Sequence, residues 1–449
     1  PATIEATDAS QLLSLVVAHG AMVDAGYDPC RQFDRDRISV VLGVTGTLQL
    51  VIPLGARLGH PIWRKAMKKA GVDDDIAEEV VAHISDAYVP WQENSFPGLL
   101  GNVVAGRVAN RLNLGGTNCI VDAACGSSLG ALHLASMELI SRRSDMVITG
   151  GVDTFNDIFM FMCFSKTPAL SPTGQARPFS KDCDGTALGE GIGMVVIKRL
   201  ADAKAAGDRV YAILRGVGPS SAGRGKSIYA PSADGQMKAL TRAYEIAGVK
   251  PEEIGLIEAH GTGTKVGDQI EISALRKVYG KPDHGRPWCG LGSVKSMIGH
   301  TKAAAGVAGL IKASLALYHK VIPPTIKITE PAPGVMDNDS PFYLSADRNP
   351  WFFGPRAPRR AAASSFGFGG SNYHIVLEEP EEQKNAWDWD GAVELISFSA
   401  ESRGALRSRL TSIKGLKPEE LPLFAARTRV EFKVTHPVRL VLAVETGKT

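Results

Sequence analysis

The chain reads as an α/β protein of duplicated build, on three observations. Short β-branched or apolar runs bounded by turn residues alternate with amphipathic or Ala-rich helical stretches. Two small-residue helical stretches open directly after a cysteine and a histidine, each following a strand-like run. The 449 residues are 44% apolar and 22% charged, the composition of a folded globular chain and not of a disordered one.

Taken in order, the chain starts with PATIEATDASQLLSLVVAHGA, a capped helix. Buried strands are predicted for ISVVLGV from Ile38, NCIVDAA from Asn118, MVITGG from Met146, GMVVIKRL from Gly193 and YAILRGVG from Tyr211, because parallel-sheet strands covered on both faces are continuously apolar. From His60 a charged helical stretch, HPIWRKAMKKAGVDDDIAEEVVAHI, leads into the irregular YVPWQENSFPG; residues 60–98 read as an insertion capping the core. The helices Ser127 to Arg142 and Thr301 to His319 are rich in Gly, Ala and Ser, which favours close packing, and their matching context suggests an internal duplication. After Leu377 a charged, breaker-containing boundary, EEPEEQKNAWDWDG, precedes a small unit over 381–449.

Charge and cysteine usage narrow the function. Fifty Lys and Arg against 47 Asp and Glu leave +3, too little for a nucleic-acid or membrane-surface partner. No apolar stretch approaches the roughly 18–20 residues of a membrane span, and no export signal opens the chain. The six cysteines (Cys30, Cys119, Cys125, Cys163, Cys183, Cys289) lack CxxC pairing or histidine clustering, so neither a metal site nor a disulfide framework is expected, and a cytoplasmic location fits. GEGIGM at Gly189 and GRGKS at Gly223 lack the spacing of a dinucleotide turn or a P-loop.

Three positions could carry chemistry. Cys125 in DAACGSS lies between a strand-like run and a helix, where unpaired backbone N–H groups and the helix dipole favour thiolate and hence a nucleophile; the alternative is a buried, inert thiol. His260 in EAHGTGT ends another run in a Gly- and Thr-rich turn. His300 closes GSVKSMIGH before a small-residue helix, a position expected to keep the ring neutral. A lone histidine is more often structural, but three sites of one texture point to an active site.

These motifs, with RPFSKDCDGTALGEG and SSFGFGGSN, in this order from about residue 1 to Glu379, resemble a β-ketoacyl synthase of a large multidomain synthase. YVPWQENSFPGLLGN, FSKTPALSP and KSIYAP are similar to the ketosynthase of polyunsaturated-fatty-acid synthases, with enediyne-type and glycolipid-type iterative polyketide synthases as neighbours. The resemblance implies a thiolase fold: two βαβαβαββ halves, over 1–200 and 201–380, in an α-β-α-β-α arrangement, as a homodimer. It implies that Cys125 accepts the acyl group, that His260 and His300 lie beside the carrier thioester, and that the backbone N–H groups of Cys125 and Phe368 form an oxyanion hole, with Phe368 also at the gate. Lys295, Asp268 and Glu271 match a charge network that orients the histidines; Glu190, Thr262 and Thr264 match supporting positions. No cofactor is bound in the family. Substrates arrive on the phosphopantetheine arm of an acyl carrier protein, and carrier and acyltransferase domains are the partners. Degradative thiolases use a second cysteine as acid and base, which GH at Gly299 lacks nearby, and chain-length-factor relatives, catalytically silent scaffolds, have lost the nucleophile that this chain keeps.

Two departures follow from the same comparison. An Ile-Val-Gly-rich first strand precedes the region matching Pro1 in family members, and losing it is expected to leave a central strand position unpaired. Ser180 stands where most relatives carry Asp. Residues 381–449 are similar to the linker between a ketosynthase and an acyltransferase, and Phe161, Met162 and Phe164 are expected to set cavity depth.

Overall fold

The computed structural model describes residues 2–28, 31–46, 48–224, 227–282, 286–352, 358–380 and 392–446. Cys30, the Lys226 that opens KSIYAP, and the boundary residues 381–391 lie outside them. The chain divides into two compact units, Pro1–Gln383 and Lys384–Thr449.

In the first unit, β1 (Ile38–Val44), β2 (Asn118–Val121), β3 (Met146–Asp153) and β4 (Gly191–Ile197) form a sheet of order β2-β1-β3-β4. β1 is parallel to β2 and β3, and β4 runs antiparallel to β3. The strands that follow are β5 (Ile213–Ser221), β6 (Leu256–Glu258), β7 (Cys289–Gly292), the two-residue β8 (Val321–Ile322), β9 (Phe342–Leu344), the two-residue β10 (Asn349–Pro350), β11 (Arg360–Phe366) and β12 (Ser371–Glu378), and six of them form a second sheet. Its order is β5-β12-β11-β6-β7-β9, while β8 and β10 pair separately as an antiparallel ribbon. Here β6 is parallel to β7 and β11, and β12 is antiparallel to β11. The run β7-β6-β11-β12 therefore repeats β2-β1-β3-β4 in order and direction, which is the signature of a duplicated α/β fold.

In the second sheet, β5 flanks β12 antiparallel; among the described residues β4 has no such partner on its outer edge. The four strands of the first sheet pair in the order β2-β1-β3-β4 without a gap. β1 and β3 are wholly buried, whereas β2 and β4, predicted as buried, are mostly half-exposed because they are the edges of this sheet.

Five layers result. The helices Ser127–Ile140 and Ala305–His319 pack against each other between the two sheets. Ala9–Asp24 and Asn102–Leu112 cover the outer face of the first sheet, and Ala233–Ala247 with Lys265–Tyr279 that of the second. Leu129, Leu132, Ala304, Val307 and Leu310 fill the middle. Ala9–Asp24 is started by Asp8, whose carboxylate accepts the Ser10 N–H at 3.0 Å. The 60–98 stretch contains helices His60–Lys69 and Asp74–Asp86, and the part predicted irregular holds a short helix, Ser95–Leu99. The buried Gln11 pins it by donating to the carbonyls of Pro97, Gly98 and Leu100.

The central helix of the second half starts at Ala305 and not at Thr301, because Lys302 has φ +47° and opens a 3-10 turn, Lys302–Ala304. The first half does the same: Ala124, φ +50°, opens the turn Ala124–Gly126 before the helix from Ser127. The second turn and the start of the first central helix meet over Gly151 of β3, where an added Cβ would lie 2.6 Å from the Ala303 carbonyl oxygen and 2.7 Å from Ser128 Cβ. Neighbouring backbone leaves no room to relax. Gly151→Ala is expected to lower stability by about 1–3 kcal/mol, as overpacking does, read as a lower urea midpoint with unchanged slope; an unchanged midpoint would contradict the close approach.

In the second unit, β13 (Val393–Ala400) and β14 (Val438–Glu445) pair antiparallel, with helices Arg403–Leu410 and Leu421–Glu431 between them in sequence. Ile396, Phe398, Leu421 and Ala425 form its core.

Candidate active site

Cys125 sits in the first of the two turns, 7% exposed. Local hydrogen bonds hold that turn: Asp122 accepts the Ala124 N–H at 3.1 Å, and Ser127 Oγ accepts from Ala123 N at 2.9 Å while donating to the Ala124 carbonyl at 2.6 Å. Ser365 of β11 donates to the Cys125 carbonyl at 2.5 Å, tying the turn of one half to a strand of the other. Gly367 is required beside it, since a Cβ there would lie 2.0 Å from the Ala123 carbonyl oxygen.

His260 follows β6 and His300 precedes the second turn, and their rings meet edge to face at 5.6 Å. Both face, with Cys125, a cavity of about 580 Å³. Each imidazole has its Nδ1 occupied by a backbone amide: Phe366 N–H donates to His260 at 3.3 Å and Lys302 N–H to His300 at 3.1 Å. A backbone N–H can only donate, so both rings carry their proton on Nε2 when neutral. Burial, then Lys295 and His300, holds the pKa of His260 well below its ordinary value; burial, then Lys295 and Lys302, does the same for His300.

The expected charge network acts on backbone. Glu271 accepts the N–H groups of His260 at 2.8 Å and Gly261 at 2.7 Å, and Asp268 those of Phe179 at 2.8 Å and Gly263 at 3.1 Å. Lys295 Nζ donates to the His260 carbonyl at 2.5 Å. These three buried groups clamp the turn that carries His260. Burial pushes Asp268 up to about 6 and Glu271 up to about 7, and pulls Lys295 down.

Thr262 and Thr264 line the cavity, with their hydroxyls 2.9 Å apart. Phe368 is 46% exposed at its mouth, tilted against Phe164 at 6.4 Å between ring centroids. Of the residues expected to set depth, Phe164 lines the cavity, whereas Phe161 and Met162 are exposed and lie outside the lining, because the helix Ile158–Lys166 turns that face outward. Glu190 is exposed and also outside the lining. Its neighbours are what touch the site: the Ala187 carbonyl accepts the His300 N–H at 2.7 Å, and Gly189 N–H donates to the His300 carbonyl at 3.0 Å. Ser180, in place of the relatives' Asp, hydrogen-bonds to Asp182. Sequence reading missed Phe366 and Lys302; a cation directly after a candidate histidine, in GHTK, was the available signal. Among the described residues no group of three or more His, Cys, Asp or Glu could hold a metal ion, and no helix is long and apolar enough to cross a membrane.

Residues 1–203 match the family beta-ketoacyl synthase, N-terminal domain, residues 211–329 its C-terminal domain, and residues 340–439 the ketoacyl-synthetase C-terminal extension. The solved ketosynthase from module 6 of the bacillaene synthase of Bacillus subtilis 168 is 32% identical, with a TM-score of 0.70 over 95% of this chain and 68% of that one. The chain belongs to the β-ketoacyl synthase family. Ketosynthases are acyl-transferring, carbon–carbon bond-forming enzymes of fatty-acid and polyketide biosynthesis, and their fold is the thiolase fold. One component of the polyunsaturated fatty acid synthase of Thraustochytrium sp. is 44% identical over 85% of the chain, and polyketide synthase PksL of Bacillus subtilis 40% over 70%. The chain spans 14% and 7% of those two proteins.

At Cys125 burial opposes the helix-mouth effect expected from sequence. Burial pushes the Cys125 thiol up to about 11, outweighing the Lys295 charge and the backbone N–H groups of Phe368 and Cys125 that favour the anion. Those two amides still define where negative charge is welcome once it forms. Because thiolate is the reacting form, alkylation of Cys125 by iodoacetamide should accelerate about tenfold per pH unit between pH 7 and 9, followed as the mass of the Cys125 peptide. A rate flat over that interval would mean a preformed thiolate.

Proposed function

We propose that this ketosynthase performs decarboxylative Claisen condensation, with Cys125 as the acyl-accepting nucleophile and His260 and His300 as the donors that stabilise the enolate. The carrying observation is that both rings, neutral and with Nδ1 occupied, have an Nε2–H available in the cavity that Cys125 faces.

In loading, Cys125 sulfur attacks the acyl thioester on a phosphopantetheine arm. The oxyanion is stabilised by the Cys125 and Phe368 N–H groups, and the cysteine proton ends on the departing phosphopantetheine sulfur. A malonyl thioester then loses carbon dioxide as its C–C bond breaks, and the electron pair delocalises onto the thioester oxygen, where two oriented N–H donors in a dry site lower the barrier. The resulting carbon attacks the acyl-Cys125 carbonyl, forming the new C–C bond and expelling the Cys125 sulfur, which regains a proton. Thr262 and Thr264 are placed to hydrogen-bond the arm, and Lys295, Asp268 and Glu271 hold the His260 turn.

The substrate class that fits best is that of polyunsaturated-fatty-acid synthases, supported by 44% identity over 85% of the chain to a component of such a synthase. We assign an acyl carrier protein and an acyltransferase domain as partners, residues 381–449 as the linker toward the latter, and the cytoplasm as the location. Covalent linkage would raise the effective concentration of both. A homodimer is supported by the open, half-exposed edge of β2 and by exposed Ile158, Phe159 and Met162 on one short helix, surfaces that a second copy would cover.

In the full-length protein fed malonyl-carrier and an acyl primer, Cys125→Ala should abolish both acyl capture and condensation. His300→Ala should slow malonyl decarboxylation about 100-fold or more, the scale of losing one oxyanion donor, with acyl loading less affected. Equal loss of both steps in His300→Ala would contradict its assignment, and a wild-type protein that folds but takes no acyl group on Cys125 would instead be a scaffold.

A further inference from the structure

The His300 tautomer depends on one hydrogen bond, from the Lys302 N–H, and that N–H belongs to a residue in an unfavourable conformation. With φ +47°, Lys302 brings its Cβ toward its own carbonyl, a region that residues other than glycine rarely adopt. In the first half the corresponding strained residue, Ala124, is held by Asp122 and Ser127 hydrogen bonds. In the second half His300 Nδ1 takes the place of Asp122 as acceptor of the strained residue's N–H, but nothing replaces Ser127: Ala305 stands at its position, and Thr301 makes no side-chain cap.

What the second turn has is a caged ammonium. Lys302 Nζ lies 2.9 Å from Asp153 Oδ1, 3.1 Å from Asn156 Oδ1 and 3.0 Å from the Gly189 carbonyl, three acceptors for three N–H bonds. Lysine and aspartate are 5% and 8% exposed. Asp153 Oδ2 also accepts the Ala303 N–H at 3.3 Å, and Gly189 is itself paired to His300 through backbone. Two of the three anchors, Asp153 and Gly189, therefore also bond the backbone of the His300 turn.

We propose that Lys302 is a positioning residue for His300: its caged ammonium holds its own backbone in the left-handed conformation that aims the Lys302 N–H at His300 Nδ1, so that Nε2–H faces the substrate. This deepens, and rests on, the condensation assigned above. The consequence is unusual. Glycine adopts this conformation without strain, so Lys302→Gly should preserve the N–H direction that Lys302→Met loses, although glycine removes more side chain.

The test uses the full-length protein in an Asp153→Asn background, which avoids leaving a lone buried carboxylate. Relative to Asp153→Asn alone, adding Lys302→Met should slow malonyl decarboxylation about 10- to 100-fold, the range for losing a partner that orients an active group, with acyl loading of Cys125 within about 2-fold. Adding Lys302→Gly should restore decarboxylation to within about 3-fold. Glycine equal to or slower than methionine would overturn the proposal, as would parallel loss of loading and decarboxylation. Nitrogen-15 spectra of histidine-labelled wild-type protein give a reading that needs no variant: His300 protonated on Nε2 is expected, and protonation on Nδ1 would overturn it. A wild-type protein that loads but never decarboxylates malonyl would sink the condensation reading instead.

Discussion

Two backbone amides, those of Phe366 and Lys302, donate to Nδ1 of two imidazoles that line the cavity, and the rest of the site is arranged around that constraint. A buried imidazole without a partner is costly, and a charged one more so. Giving each ring one backbone donor satisfies Nδ1, selects the tautomer and leaves Nε2–H as the free end. The donors sit on different structural elements of the second half, one at the end of β11 and one on the strained turn after His300, so the geometry exists only when that half is folded.

The duplication is what brings Cys125, from the first half, to the same cavity. Each half delivers a strand, a turn opened by a residue of positive φ, and a central helix, and the second turn meets the start of the first central helix over Gly151. The first turn presents a sulfur and the second stabilises a ring. What holds each is different: hydrogen bonds from Asp122 and Ser127 in one, an ammonium bound by Asp153, Asn156 and Gly189 in the other. Equivalent architecture has been adapted to two chemical tasks.

Burial acts on these groups in opposite senses. It keeps the imidazoles neutral, which favours hydrogen-bond donation to an enolate, and it keeps the Cys125 thiol protonated, which disfavours the resting nucleophile. The charge of Lys295 and two backbone N–H groups compensate only in part.

Much of this was legible from letters alone. Apolar runs such as ISVVLGV and MVITGG determine wholly buried strands because parallel sheets covered on both faces admit little else, and DAACGSS, EAHGTGT and GSVKSMIGHT mark the three chemical positions through residue type and turn composition. Tertiary structure decided what depends on groups distant in sequence. It put β2 and β4 at half-exposed edges, turned Phe161 and Met162 away from the cavity while keeping Phe164 in it, and left Glu190 exposed. It raised the thiol that local context would have lowered, because desolvation is the sum over everything packed around an atom, and no sequence window contains that sum. It also joined Lys302 to Asp153, separated by nearly 150 positions, a pairing that follows from the meeting of two half-folds.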